Sequence, residues 1–129
     1  MSLKEKIRIM VVDDMTVSRG LLTMGLEKIG IKNVVPVDHA QKALKALEST
    51  PVHLVLSDYN MPDMDGLDFL LALRKSQKTQ RLGFIMVSGS FNQTVVDLGK
   101  RLGMNNFLKK PFTDASLKQC VESVTGALG

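Results

Sequence analysis

The chain has 129 residues, 44% of them apolar and 23% charged, a composition that excludes a disordered chain and a length suited to one domain over residues 1–129. Its net charge of +4 comes from Lys and Arg interspersed with Asp and Glu, which argues against nucleic acid as a partner. A single cysteine, Cys120, excludes an intramolecular disulfide and a cysteine metal cluster. With no signal-peptide core in Met1 to Arg8 and no apolar run of membrane-spanning length, a cytoplasmic location without membrane insertion is expected.

Ile7 to Val12 is a short apolar run that predicts a first strand, and Asp13 and Asp14 follow it. Leu22, Leu26 and Ile29 then recur at helical spacing, and Gly30 stands where that helix should stop. Asn33 to Val37 predicts the second strand, and Ala43, Leu44 and Leu47 mark the helix after it. Val52 to Ser57 predicts the third strand, followed by Asp58, Tyr59, Asn60, Met61 and Pro62. Asp65 is a plausible cap for the next helix, which carries Leu67, Leu70 and Leu71. Gly83 to Ser88 predicts the fourth strand, and Gly103 ends the helix that follows. Asn105 to Leu108 predicts the fifth, leading through Lys109, Lys110 and Pro111 to a last helix capped by Thr113. Cys120 lies in that amphipathic run, where a thiol acts as a small hydrophobe. The methionines, Met15 and Met24 among them, are expected as core filler, and His39 and His53 as structural residues.

Strict alternation of strand and helix predicts a doubly wound α/β domain, a five-stranded parallel sheet with helices on both faces. Ligands of such sheets lie beyond the carboxyl ends of the strands, so the residues just after each strand should carry the chemistry. If the first and third strands are neighbours, Asp13, Asp14 and Asp58 converge. Three carboxylates in a partly desolvated crevice repel one another and call for a cation. Oxygen ligands select a hard divalent ion, and a site with few carboxylates and several waters suits Mg²⁺ beside a phosphate group. Ser88 offers a hydroxyl and Lys110 an ammonium at the next two strand ends, the groups a phosphoryl site needs. Singly these are ordinary turn and cap residues; jointly, at consecutive strand ends of one sheet, they describe a phosphoryl-binding site.

The segments Val11-Val12-Asp13-Asp14, Ser57-Asp58-Tyr59-Asn60-Met61-Pro62-Asp63-Met64-Asp65-Gly66-Leu67, Val87-Ser88-Gly89 and Lys110-Pro111-Phe112 resemble the receiver domains of two-component response regulators. The likeness is to the chemotaxis, CheY-like type and runs along essentially the whole chain. It implies a flavodoxin-like sheet of strand order 2-1-3-4-5. It further implies that Asp58 is the phosphoacceptor, attacking the phosphohistidine of a sensor histidine kinase in a phosphorelay. Asp14 and the Asn60 carbonyl would bind Mg²⁺ with Asp58, while Asp13 would hold a metal water. Lys110 would neutralise the transferred group, Ser88 would be the switch hydroxyl, and Phe107 the aromatic that turns inward. The Lys110–Pro111 bond is expected to be cis.

As further implications, the phosphorylated chain would bind a flagellar motor switch protein, a phosphatase is a possible partner, and the protein would be a monomeric signalling domain with no turnover activity. Phe91, Lys100, Arg101, Phe107, Lys109 and Lys118 mark a basic, partly apolar face for such contacts. Phe107 stands where chemotaxis members often have tyrosine, and Ser88 where threonine is common. Three other readings compete. A phosphate sink would drain the kinase without touching the motor. A haloacid dehalogenase-type phosphatase wants an Asp two positions after its nucleophile, where Asp58 is followed by Asn60 and Asp13 by Met15. A flavodoxin-like cofactor protein needs a phosphate-cradling loop where this chain has two carboxylates.

Overall fold

In a computed structural model describing residues 2–90 and 92–129, the strands are β1 (Arg8–Val12), β2 (Asn33–Val37), β3 (Leu54–Asp58), β4 (Gly83–Ser88) and β5 (Asn106–Lys109). They form one parallel sheet in the order β2-β1-β3-β4-β5. The helices are α1 (Leu3–Lys6), α2 (Thr16–Lys28), α3 (Ala40–Ser49), α4 (Gly66–Lys75), α5 (Gln93–Arg101) and α6 (Asp114–Thr125). The doubly wound α/β fold is as the alternation of elements predicts, and the strand order is as the resemblance implies. Phe91 lies outside the described residues.

Strict period-2 geometry divides the core. Ile9, Val11, Leu54, Leu56, Ile85 and Val87 point to one face, where they pack with Leu22 and Leu26 of α2 and Leu117 and Val121 of α6. Met10, Val12, Val55, Phe84 and Met86 point to the other, against Ala43 of α3, Phe69 and Leu73 of α4 and Val96 of α5. Because both faces are covered, β3 is buried at every residue, which is why it reads as a continuous apolar run. Pro36, which has no N–H to give, sits on the edge strand β2.

The end signals work as read. Gly30 and Gly103 both have φ of 97°, a conformation that other residues resist, and follow α2 and α5. Asp65 and Thr113 each close a capping box, with Asp68 and Ser116 as reciprocal partners. Two features went unread. The four-residue α1 and the tail after α6 meet beneath the amino ends of the strands, where Lys4 N–H bonds the Leu128 carbonyl at 3.0 Å and Leu128 is buried at 1% exposure. Met15 and Met24 are not core filler: they are 62% and 52% exposed, since α2 turns Gly25, Leu22 and Leu26 inward and leaves Val17, Leu21 and Met24 on its outer side. Among the described residues, no helix is long and apolar enough to cross a membrane.

Candidate phosphoryl-binding site

The winding direction reverses between β1 and β3, which are neighbours in register with Val12 opposite Ser57. Asp13 and Asp14 therefore leave β1 beside Asp58, the last residue of β3. Asp58 pairs with Val87 on β4, so Ser88 is one residue further on, and Ser88 pairs with Lys109, one residue before Lys110. Sheet register alone thus brings the four strand ends to one level.

One carboxylate oxygen each from Asp13, Asp14 and Asp58 lies within 4.8 Å of the others. Asp13 is fully buried and Asp58 nearly so, whereas Asp14 is exposed at the mouth. The Lys110 ammonium reaches into this cluster, 3.0 Å from Asp58 Oδ1 and 3.3 Å from Asp13 Oδ2. Asp13 is held from three directions. Its Oδ1 accepts the Met15 N–H at 3.0 Å, its own N–H donates to the Val37 carbonyl at 3.1 Å, and Arg19 donates to its carbonyl at 2.7 Å. Burial pushes the Asp58 carboxyl above its ordinary pKa; the Lys110 hydrogen bond and charge pull the other way, and Asp13 and Asp14 add to the rise.

The loop from β3 to α4 is pinned at both ends. Tyr59 N–H donates to the Val87 carbonyl at 3.0 Å and Gly66 N–H to the Tyr59 carbonyl at 2.8 Å. Between them Asp63 takes a left-handed φ of 68°. Asn60 sits two residues beyond Asp58 in this loop and is exposed. Gly66 is packed so closely that a Cβ there would meet Met86 Sδ and stand 2.9 Å from the Asp58 carbonyl oxygen. The predicted motif contains this glycine, but only the packing reveals that it abuts the Asp58 backbone.

Ser88 is buried, and its hydroxyl donates to the Ser90 carbonyl at 3.2 Å. Phe107 pairs in register with Met86, so it and Ser88 project from the same face of the sheet, and it packs against the cluster that includes Met86. The Lys110–Pro111 bond is cis, as expected. His39 and His53 stand apart from the cluster: His53 Nδ1 accepts the Arg8 N–H at 2.9 Å, and His39 bonds Asp38, whose carboxyl it pulls down to about 2 with help from Lys42. Cys120 is buried in the core.

Ser18 was not among the residues read as functional. It stands in the first turn of α2, and its Oγ is 2.6 Å from the Lys110 ammonium. The available signal was a hydroxyl one helical turn beyond Asp14, on the side of α2 that faces the pocket.

The chain matches the model of the response regulator receiver domain over residues 9–122. It is 40% identical over 128 residues to a probable chemotaxis protein CheY of Rhizobium etli, covering 99% of each chain. It is 29% identical to chemotaxis protein CheY1 of Helicobacter pylori, over 92% of this chain and 97% of that one. The crystal structure of chemotaxis protein CheY4 of Vibrio cholerae superposes with a TM-score of 0.85 at 24% identity, covering 92% of this chain and 98% of the other. The fold those chains share is built here from the same two adjacent strands that bring the acidic cluster together, and the chain belongs to the response regulator receiver domain family, as a CheY-like phosphoryl-accepting signalling domain.

Proposed function

We propose that Asp58 accepts the phosphoryl group of a sensor histidine kinase and that the phosphorylated protein binds a flagellar motor switch protein. The observation that carries the chemistry is the Lys110 ammonium lodged between the buried Asp13 and Asp58 carboxylates, one strand away from the Ser88 hydroxyl.

An Asp58 oxygen attacks phosphorus as the P–N bond of the phosphohistidine breaks, and the freed imidazole takes up a proton from solvent. Hydrolysis of the acyl phosphate by water later returns the carboxylate and inorganic phosphate. Lys110 neutralises charge on the transferred oxygens, and Asp13 holds Lys110 in place. Three carboxylate oxygens within 4.8 Å, one exposed to solvent, fit a hard divalent cation with water ligands. Asp14, Asp58 and the Asn60 carbonyl would hold Mg²⁺, with Asp13 bonded to one of its waters. Bound there, the ion would neutralise charge on the phosphoryl oxygens.

In this reading the kinase docks on the outer side of α2. Met15, Val17, Leu21 and Met24 are exposed there and border a groove of about 650 Å³ that ends at Lys110 and Pro111. This apolar rim supports docking of the kinase. After transfer, the Ser88 hydroxyl exchanges the Ser90 carbonyl for a phosphoryl oxygen, a stronger, charged acceptor, and Phe107 turns inward on the same face. Output then falls to α5, β5 and α6, where Lys100, Arg101, Lys109 and Lys118 are exposed.

The test is intact mass after incubation with Mg²⁺ and acetyl phosphate, followed by capture on the immobilised motor switch protein. One phosphoryl group on the wild type and none on Asp58→Asn supports the acceptor assignment; equal labelling of both refutes it. Capture that ignores phosphorylation refutes the motor partner alone.

A further inference from the structure

We infer that Ser18 is a positioning residue for phosphoryl transfer, holding the Lys110 ammonium in line with the acceptor without cancelling its charge. The inference rests on the reading of Asp58 as phosphoacceptor.

An ammonium has three N–H donors and no acceptor. Among the described residues Lys110 has three partners, Asp58 Oδ1 at 3.0 Å, Asp13 Oδ2 at 3.3 Å and Ser18 Oγ at 2.6 Å, and the contact with the neutral hydroxyl is the shortest. The lysine side chain is partly exposed, at 25%, so its head group is not fixed by packing alone. Without Ser18, its third N–H would be left to water and the head group would lose one of its three anchors. Ser18 stands on a different element, in the first turn of α2, and pulls from the side of the groove by which the donor arrives.

The chemistry of the partner matters. A carboxylate at this position would fix the ammonium but quench the charge needed by the phosphoryl oxygens. An apolar side chain would spare the charge but leave one donor to water. A hydroxyl does neither. When the phosphoryl group forms on Asp58, Lys110 can exchange its Asp58 contact for a phosphoryl oxygen while Ser18 and Asp13 keep its position.

Serine's hydroxyl can be separated from its shape by a pair of variants, Ser18→Thr and Ser18→Val, which are nearly isosteric with each other. The assay is the initial rate of phosphorylation by acetyl phosphate in Mg²⁺, with thermal unfolding as a control and each change repeated in Lys110→Ala. Ser18→Val is expected to slow phosphorylation about fivefold, the scale of one hydrogen bond to a charged group partly replaced by water, while Ser18→Thr stays within about twofold of wild type. In Lys110→Ala the valine should cause no further slowing, because its effect passes through the ammonium. Equal rates for all three Ser18 forms, equal slowing by both variants, or undiminished slowing in Lys110→Ala would each overturn the inference. A wild type that takes no phosphoryl group overturns the acceptor reading itself, and the inference with it.

Discussion

Replacing Asp58 with asparagine removes the proposed phosphoacceptor, and it is expected to make the protein more stable. The Asp58 carboxylate is nearly buried, with an oxygen of Asp13 and one of Asp14 within 4.8 Å and the Lys110 ammonium at 3.0 Å. At an effective dielectric of about 20, each neighbouring carboxylate repels it by roughly 3 kcal/mol and the ammonium attracts it by roughly 5 kcal/mol. Asp14 is exposed and its repulsion is screened by solvent, so the repulsions only partly offset the attraction and desolvation decides the sign, in keeping with burial as the largest cause of the raised Asp58 pKa. Asparagine keeps the shape and an oxygen for Lys110 while discarding the charge. Without Mg²⁺ at neutral pH the expected gain is about 1 kcal/mol, roughly 4 °C in Tm for a chain of this size.

The pH dependence follows from the direction of the shift. A carboxyl whose pKa rises on folding binds its proton more readily in the native chain, so the wild type loses stability as pH climbs from the ordinary value of 3.8 through the raised one. The advantage of Asp58→Asn should therefore appear over that window and reach its full size above it. Saturating Mg²⁺ should stabilise the wild type by mass action and narrow the difference. Thermal unfolding monitored by circular dichroism, with EDTA and with Mg²⁺ across the pH series, measures both. An asparagine variant less stable than wild type by 1 kcal/mol or more in EDTA would mean that Lys110 outweighs repulsion and burial together, and the reasoning would fail.

Gly66→Ala places a Cβ against Met86 Sδ and 2.9 Å from the Asp58 carbonyl oxygen, and should cost about 2 kcal/mol in urea unfolding while slowing phosphorylation; an unchanged rate would separate the glycine from the site. Leu128→Ala should lower stability by about 2 kcal/mol, since Leu128 is buried at 1% exposure against the α1 end of the core; urea unfolding with no change in midpoint would show that the tail is not part of the folded unit. Burial pushes the Cys120 thiol up to about 11, so a disulfide reagent at about pH 8 should react with it only as fast as the chain opens; stoichiometric reaction within the mixing time would contradict that burial.

Much of this was legible from the sequence because a two-sided parallel sheet has a strong signature. Five short apolar runs, each followed by a helical pattern, admit few alternatives, and turn chemistry at Gly30, Asp65, Gly103 and Thr113 agrees with them. The strand order was not legible from periodicity. Alternation is the same for every order, and which strands are neighbours came from the family motifs around Asp58. The pocket residues were readable because they follow strand ends directly, so their place depends on topology alone. Ser18 was not, since its role needs the side of α2 that meets the 110–111 turn, and a serine in the first turn of a helix has ordinary uses. Met15 and Met24 failed for the opposite reason: methionine suits a core and an exposed rim equally well, and only helix rotation decides between them. The tail escaped notice because a single leucine between glycine and alanine carries no period.

In the proposed switch, the cost of the pocket and its responsiveness have one origin. The unphosphorylated site leaves the Ser88 hydroxyl on the Ser90 carbonyl at 3.2 Å, a long, neutral hydrogen bond worth about 1 kcal/mol. A phosphoryl oxygen is a charged acceptor, for which the same hydroxyl gains about 1.5–3 kcal/mol. The difference, about 0.5–2 kcal/mol, shifts the population of a two-state element by roughly 2- to 30-fold, enough to redirect binding without locking the domain. A pocket already satisfied by well-packed apolar residues would offer no such difference, because phosphorylation would have no weak contact to replace. Three crowded carboxylates and a loosely bonded hydroxyl leave the resting site only marginally favourable, and that is the condition under which one added dianionic group can decide between two arrangements.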